Sequence, residues 1–276
     1  MNYPDYIADE KALHFKNGIW YSDKNNRVSY PEEGNNACFQ IEENSFWFKH
    51  RNNCIVTVVD LYSSGETFFD IGAGNGFVSY ALQKTGKNVV MIEPGEQGCI
   101  NGKGRGIEQI LCGTFQDIQL KGASIGACGF FDVIEHVEKD LDLLVSLNPY
   151  LKPGGMVYIT VPAYKFLWSK EDIDAGHYRR YTRKSIKCIL KNAGYNIIYS
   201  TCLFSFLPLP IFLSRTLPYR LKIHSAKTNH QKQHTNSNSF FSGIIDRMLG
   251  WEINQIKKKK SIPFGSSCFI VAQKKS

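Results

Sequence analysis

Apolar positions in this chain gather into short runs, and between the runs the spacing changes from that of a strand to that of a helix. Phe68-Phe69-Asp70-Ile71 is a short run of high strand propensity. Gly72, Gly74 and Gly76 follow at every second position, and Phe77 to Lys84 then reads as a helix stopped by Gly86. A second strand is predicted over Asn88–Glu93, turned by Pro94-Gly95, and a third over Glu108–Gly113. Ile125–Phe131 and Met156–Val161 are the fourth and fifth. Between them Leu141, Leu144 and Leu147 give helical spacing to Val137–Leu151, broken by Lys152-Pro153-Gly154-Gly155. Thr182 caps a helix that runs to Asn192 and ends at Gly194. Tyr195–Cys202 and Cys268–Ala272 are the last two strand-like runs. Strands that alternate with helices predict an α/β chain.

The flanks are less regular. Met1–Asn36 is polar and aromatic, and its Gly18-Ile19-Trp20-Tyr21 fits either a strand or a packed loop. Ala37–Tyr62 has helical spacing through Ile55, Val58, Val59 and Tyr62, with Asn44 or Ser45 placed to cap a helix that carries Phe46-Trp47-Phe48. Some sixty residues separate the last two strands, far more than a hairpin needs. Leu203–Leu213 is apolar but holds two prolines. Lys222–Ser239 is polar and reads as mobile. Phe240, Phe241, Ile244, Ile245, Met248, Leu249 and Ile256 mark an amphipathic helix that leads into Lys257-Lys258-Lys259-Lys260.

Composition adds compartment and partners. The chain has 276 residues, 43% hydrophobic and 21% charged, ordinary for a globular protein. Its net charge of +8 is unevenly spread: Met1–Ser214 holds 21 basic and 23 acidic residues, Arg215–Ser276 holds 12 and 2. A basic tail suits an anionic membrane surface, an acidic glycan or nucleic acid, nucleic acid being the less favoured. The alternative is a solvated basic face. The eight cysteines form no C-x-x-C pair, Met1–Glu10 lacks the apolar core of a signal peptide, and no apolar run reaches the ~20 residues of a spanning helix. The expected place is the cytoplasm, with peripheral contact at the inner membrane surface as an option.

Bare backbone in the glycine turn lets a ligand lie against the main chain at the start of a helix. A dinucleotide site would need a third glycine where this chain has Phe77, which argues against a nicotinamide-dependent oxidoreductase. Glu93, ending the second strand, is placed to accept two hydrogen bonds from ribose hydroxyls. Asp70-Ile71-Gly72-Ala73-Gly74-Asn75-Gly76 resembles motif I of the class I S-adenosylmethionine-dependent methyltransferases. Phe131-Asp132-Val133-Ile134-Glu135-His136 and the Leu151-Lys152-Pro153-Gly154-Gly155 turn extend that resemblance over Glu66–Pro162.

The resemblance implies a three-layer Rossmann-like α/β fold, with a seven-stranded, mostly parallel sheet whose last strand is antiparallel. It divides the chain into an N-terminal lid (residues 1–62), a catalytic core (63–202 and 266–276) and an insertion (203–265). It implies S-adenosyl-L-methionine as cofactor, against Asp70, Gly72, Ala73, Gly74, Gly76, Glu93, Pro94, Thr114, Phe115, Gln116 and Asp132. Many members carry an acid at the position of Thr114, so adenine would here use backbone near Phe115 or the side chains of Gln116 or Asp117. The lid would bring its aromatic cluster and Arg51 over the cofactor.

Methyl transfer from a sulfonium asks the protein to align donor and acceptor, and to remove a proton when the acceptor is a hydroxyl. The candidates are Asp132, Glu135, His136, Tyr164 and His177, with His136, His177 and Asp132 as the catalytic set and no metal assigned. The alternative is a divalent cation on Asp132, Glu135, His136 and His177, a spacing similar to metal-dependent small-RNA and quinone O-methyltransferases. Arg183 and Lys184 stand in the first turn of the Thr182-capped helix, where the dipole disfavours cations. Either an anionic acceptor meets this basic stretch, or Glu171, Asp172 and Asp174 pair with it. Tyr164, His177, Arg179 and Arg180 are the substrate-binding candidates. The His177–Thr182 run resembles a subset of bacterial methyltransferases of surface-glycan and polyprenyl-linked saccharide clusters. The reading is therefore methyl transfer to a hydroxyl of a small-molecule or lipid-linked saccharide acceptor. A metal-assisted RNA or quinone O-methyltransferase is the alternative, and a non-catalytic cofactor-binding or membrane-recruitment protein is the non-enzyme alternative.

Overall fold

The computed structural model describes residues 4–9, 12–23, 39, 41–63, 65–222 and 239–275, the side chains of 239–242 excepted. Its centre is a sheet of β1 (Leu13–Lys16), β2 (Ile19–Ser22), β3 (Phe68–Ile71), β4 (Val89–Glu93), β5 (Gln109–Cys112), β6 (Ile125–Phe131), β7 (Leu151–Pro162), β8 (Tyr195–Leu203) and β9 (Ser267–Lys274). The spatial order is β1-β2-β5-β4-β3-β6-β7-β9-β8. Strands β2 to β7 run parallel to one another, and β9 lies antiparallel between β7 and β8. The order reverses at β3, which has β4 on one side and β6 on the other. In an open α/β sheet the crevice for ligands forms at such a reversal, beyond the carboxyl ends of the strands.

The sheet has nine strands among the described residues, not the seven expected. The extra pair is a hairpin whose Asn17 and Gly18 both take positive φ (51° and 83°), the geometry a two-residue hairpin turn demands. Its second strand adds in parallel to β5 through Trp20 and Tyr21, so the Gly18–Tyr21 fragment is a strand and not a loop.

Helices cover both faces. On one, Leu144, Leu147, Ile186 and Leu190 pack with Val90, Ile92, Phe130 and Ile159. On the other, Cys54, Ile55, Val58 and Val59 of the helix Phe46–Tyr62 share a core with Phe68, Leu82, Tyr158 and Ile256. Burying a side chain such as Leu144 stabilises by about 1.5–3 kcal/mol, so this layering is the main support of the fold. The β-branched residues of the first helix are helical because that face of the sheet demands apolar side chains at 55, 58 and 59. Ser45 caps it, accepting from the Trp47 amide at 3.2 Å. The helix expected over Val137–Leu151 is shorter, Asp140–Leu147, and gives way to a tighter turn at Asn148–Tyr150 around Pro149.

A helix at Glu96–Arg105 was not legible in the sequence, because Gly98, Gly102 and Gly104 argue against one. Gly102 is required by packing: a Cβ there would stand 2.5 Å from the Met91 sulfur.

The stretch between β8 and β9 packs back on the body. The helix Ser239–Lys257 buries Leu249 and Ile256 in the same core as Cys54 and Val58. Glu252 on this helix is fully buried and accepts from His50 (3.0 Å), the Phe204 amide (2.9 Å) and the Ser205 amide and hydroxyl (2.6 Å each). One carboxylate thus ties the first helix, the exit of β8 and the last helix together. Burial works to raise its pKa, but the bonds from His50, Ser205 and Phe204 override it and hold the group below the ordinary value. Lys257 to Lys260 are exposed. The polar run from Lys222 to Ser239, apart from its ends, lies outside the described residues. Among the described residues no helix is long and apolar enough to cross a membrane.

Candidate active site

The turn after β3 is built for close approach. Gly72, Gly74 and Gly76 all take positive φ (72°, 57° and 71°), a region costly for side-chain-bearing residues. Gly76 also has no room: a Cβ would lie 2.3 Å from Ile107 Cδ1. Asp70, at the end of β3, is buried and accepts from the Ser79 hydroxyl at 2.6 Å, which fixes the turn to the first turns of the helix Phe77–Lys84. Burial raises the Asp70 pKa to about 6, with the Ser79 bond opposing.

Glu93 ends β4 beside that turn. Its Oε2 accepts from the Gly74 amide and its Oε1 from the Gly95 amide, both at 2.8 Å. Burial pushes its pKa to about 7; the two amides work against the rise and the nearby Asp70 adds to it. Each oxygen keeps a second lone pair, the acceptor capacity a ribose diol would use. Pro94 and Ala73 flank this carboxylate, half-buried. Glu42 joins the same frame: it accepts from Asn75 (3.1 Å) in the turn and from Arg105 (2.7 Å) at the end of the helix Glu96–Arg105, so both are pinned to one carboxylate.

The loop after β5 differs from a simple adenine clamp. Thr114 turns its hydroxyl to Asp117 at 2.6 Å. Phe115 is buried in the core, edge-on to Phe130 and Tyr150, so its ring faces away from the crevice. Gln116 is exposed.

After β6 the chain strains. Asp132 takes φ 58°, rare for a residue with a side chain and a recurrent feature of functional sites. It is held by Thr160, whose hydroxyl donates at 3.0 Å, and by Arg51, whose Nε lies 2.5 Å from Oδ2. Arg51 also donates to the Phe131 carbonyl at 2.8 Å. Arg51, expected to come over the cofactor, is thus engaged with the carboxyl end of β6, and Asp132 with it.

Beyond Asp132, Glu135, His136 and His177 come together, with donor atoms all within 4.8 Å of one another. The two imidazoles meet edge to face at 4.7 Å. Glu135 is fully buried, and neither carboxyl oxygen receives a hydrogen bond from another residue among those described. Its pKa is driven well up, by burial first and by Asp132 second. His136 is driven down to about 4 by burial and by His177, so it is neutral at physiological pH.

His177 is oriented by Asp172, which meets its Nδ1 at 2.9 Å and also accepts from Arg180 Nε at 2.7 Å. Burial opposes ionisation of Asp172, but the bonds from His177 and Arg180 override it and hold the carboxyl at about 2. A permanent carboxylate on Nδ1 fixes the tautomer that leaves Nε2 as the acceptor. Asp172 was read from sequence only as a charge partner for the basic stretch; the five-residue step to His177 and the Ser169 capping box were the signals for its place here.

Tyr164, at the end of β7, also takes positive φ (59°), and its ring stacks between Phe166 (5.3 Å) and Phe264 (5.1 Å). Burial lifts its hydroxyl to about 12, so it acts as a hydrogen-bonding group and not as a base. The arginines are engaged internally. Arg179 pairs with Asp140 at 3.0 Å, Arg180 reaches Asp172 and the Ala163 carbonyl, and Arg183 binds Ser200 and the Ile262 carbonyl. Tyr181 completes the scaffold, donating to Asp140 at 2.8 Å.

Glycine turn, strand-end carboxylate and strained acid stand at the ends of β3, β4 and β6, around the reversal of strand order. The family model described as methyltransferase domain matches residues 49–200, more than half of the chain. The chain belongs to the methyltransferase domain family. Among curated relatives, the chain is 28% identical over 97 residues to the ubiquinone biosynthesis O-methyltransferase of Colwellia psychrerythraea, covering 33% of this chain and 39% of that protein. It is 29% identical over 97 residues to the enzyme of the same name from Parvibaculum lavamentivorans, covering 33% and 38%. The match thus spans about two-fifths of the length of these relatives. A SAM-dependent methyltransferase of Thermotoga maritima superposes with a TM-score of 0.56 at 15% identity, over 88% of this chain and 96% of that one. A phosphoethanolamine N-methyltransferase of Haemonchus contortus, solved with S-adenosyl-L-methionine, gives 0.53 at 19% identity, over 91% and 59%. These structures share the fold.

Proposed function

We propose that this chain transfers a methyl group from S-adenosylmethionine to a hydroxyl, with His177 as the group that takes the proton. The observation that carries this reading is the Asp172–His177 pair. A carboxylate held ionised at about 2 orients a ring that reaches the crevice beside His136 and Glu135. The cofactor lies against Gly72, Ala73, Gly74 and Gly76, with its ribose on Glu93 and its adenine near Thr114, Gln116 and Pro94. Asp132 holds the chain between cofactor and acceptor. Tyr164 presents its hydroxyl and ring to the acceptor. A small-molecule or lipid-linked saccharide hydroxyl is the acceptor class this reading takes from the sequence. Arg179 and Arg180, anchored on Asp140 and Asp172, shape the site and leave part of their donor capacity for an anion. The test is product formation from S-adenosylmethionine with a panel of hydroxylated acceptors. His177→Ala should abolish product while calorimetry shows unchanged cofactor affinity.

One observation favours a second reading, metal-assisted methylation of a quinol-type hydroxyl. Glu135 is a buried carboxyl with two imidazoles beside it and no donor from another described residue. That donor set suits a divalent cation, and the curated relatives are named for ubiquinone biosynthesis. Glu135, His136 and His177 would be its ligands, with Asp132 drawn aside by Arg51. When bound, a cation would lower the pKa of the acceptor hydroxyl. Loss of activity on chelation, restored by one divalent cation, selects this reading.

A further inference from the structure

The segment after β8 forms a strap: helical at Pro208–Ile211, wider at Phe212–Thr216, helical again at Leu217–Arg220. Its inner side is seated on the loop after β7. The Thr216 hydroxyl donates to the Leu167 carbonyl at 3.0 Å, Arg220 donates to the Phe166 carbonyl at 3.1 Å, and Phe212 packs near Phe166. Its outer side is apolar where water should be. Leu209, Leu213 and Leu221 are 67%, 53% and 60% exposed. Phe166 and Phe264, both exposed, continue the apolar surface to Tyr164 and so to the mouth of the site.

Leucines at steps of four and eight along a helical strap fall on one side of it, and an exposed apolar side of this kind marks an interaction surface. Its occupant follows from charge. Arg215 to Ser276 carries 12 basic residues against 2 acidic ones. Arg220 and Lys222 are exposed at the end of the strap itself, on either side of Leu221. A second copy of this chain would bring the same positive charge to the contact and be repelled. An anionic lipid surface meets both features, taking leucines into the acyl boundary and basic side chains at the headgroups.

We infer that the strap docks this protein on anionic phospholipid, through Leu209, Leu213 and Leu221, with the mouth of the site facing the bilayer. The contact differs from the helix Ser239–Lys257 considered from sequence, which sets Leu249 and Ile256 into the core while Ile244 and Met248 stay exposed. The inference does not depend on which acceptor the site takes.

The test is co-sedimentation of the full chain with extruded vesicles. Mixed phosphatidylglycerol and phosphatidylcholine should carry the protein down. Phosphatidylcholine alone, or about 0.5 M NaCl, should release most of it. Leu209→Ser/Leu213→Ser/Leu221→Ser should weaken binding by roughly tenfold or more, while its thermal midpoint and cofactor affinity stay those of the wild type. Trp251→Ser, at an exposed position on the last helix, should sediment like the wild type. Wild-type protein left in the supernatant with anionic vesicles overturns the inference. So does a leucine variant that sediments normally. Light scattering that shows a dimer dissolved by the leucine changes would give the patch to a second copy and overturn it as well. Vesicle binding is read without any methyl transfer, so failure of the proposed reaction would leave this result standing.

Discussion

The Gly74 amide donates to the Glu93 carboxylate at 2.8 Å, nineteen positions away, and so locks the glycine turn after β3 to the end of β4. The bond fixes one lone pair of the group proposed to hold the ribose, and burial raises that group to about 7. Asp70, close by, is raised to about 6. Both acids hold protons more tightly in the folded chain than in the unfolded one. Between the unfolded and folded values the native state therefore binds more protons, and stability falls as pH rises through about 4 to 7. Cofactor binding has the same origin and the opposite sign. Ribose hydroxyls donate to the ionised form, so affinity should rise with pH, roughly tenfold per unit below 7, and level off above. Calorimetry at pH 6 in buffers of different ionisation enthalpy should register proton release. A flat affinity between pH 5.5 and 8 would remove Glu93 from the site.

Gly76→Ala should destabilise the protein before it affects binding. The new Cβ meets Ile107 at 2.3 Å, on a backbone with φ 71°. Left-handed strain and overpacking together predict a loss of roughly 2–4 kcal/mol. Gly76→Ala with Ile107→Val should regain the packing part and not the backbone part. Urea midpoints separate the two; full recovery in the double variant would show that conformation contributes nothing.

Glu252→Gln tests the buried tether between the first and last helices. Gln offers one acceptor oxygen where Glu252 serves His50, Phe204 and Ser205. Leaving a buried donor without its acceptor costs about 1–3 kcal/mol. Because the folded pKa of Glu252 lies below its ordinary value, its stabilisation is present above that ordinary value and is lost as pH falls through the folded one. The stability gap between wild type and variant should accordingly narrow in acid, which thermal melts at pH 7 and pH 4 would show.

The geometry of the glycine turn and of the strand end beside it was legible in the sequence. Asp70 to Gly76 and Glu93 could be read because backbone geometry dictates glycine there and because a strand end fixes where a carboxylate points. The β1–β2 hairpin was missed although Asn17-Gly18 is a strong turn signal, since His14 and Lys16 dilute the short run around it. Glu96–Arg105 was hidden because its glycines serve packing against Met91, a reason only tertiary structure supplies. The burial of the Phe115 ring was hidden for the same reason: a periodic reading does not say which face of a loop the core will claim. Pairing of the Arg179–Arg183 stretch with Asp172 was one of two sequence readings, but Asp140 and Ser200, like Asp132 beside Arg51, are partners that only the fold brings near.

Glu135→Gln decides between the two readings of the site. In the reading proposed here the Glu135 carboxyl is neutral, because burial and Asp132 keep its proton on. A neutral amide of the same shape then replaces a neutral acid, and Asp172–His177 is left intact. Turnover should stay within about threefold, since no ionised group has been removed from the transition state, and dialysis against a chelator should change nothing. Asp172→Asn should behave differently. It removes the charge that fixes the His177 tautomer, and a misplaced proton on a general base costs roughly 10²–10⁴ in kcat, with cofactor affinity unchanged. A cation held by Glu135, His136 and His177 reverses the first expectation: Glu135→Gln would then lose turnover and divalent-ion binding together. Steady-state kinetics on the two variants, each before and after chelation, therefore assign the proton to His177 or the acceptor to a metal.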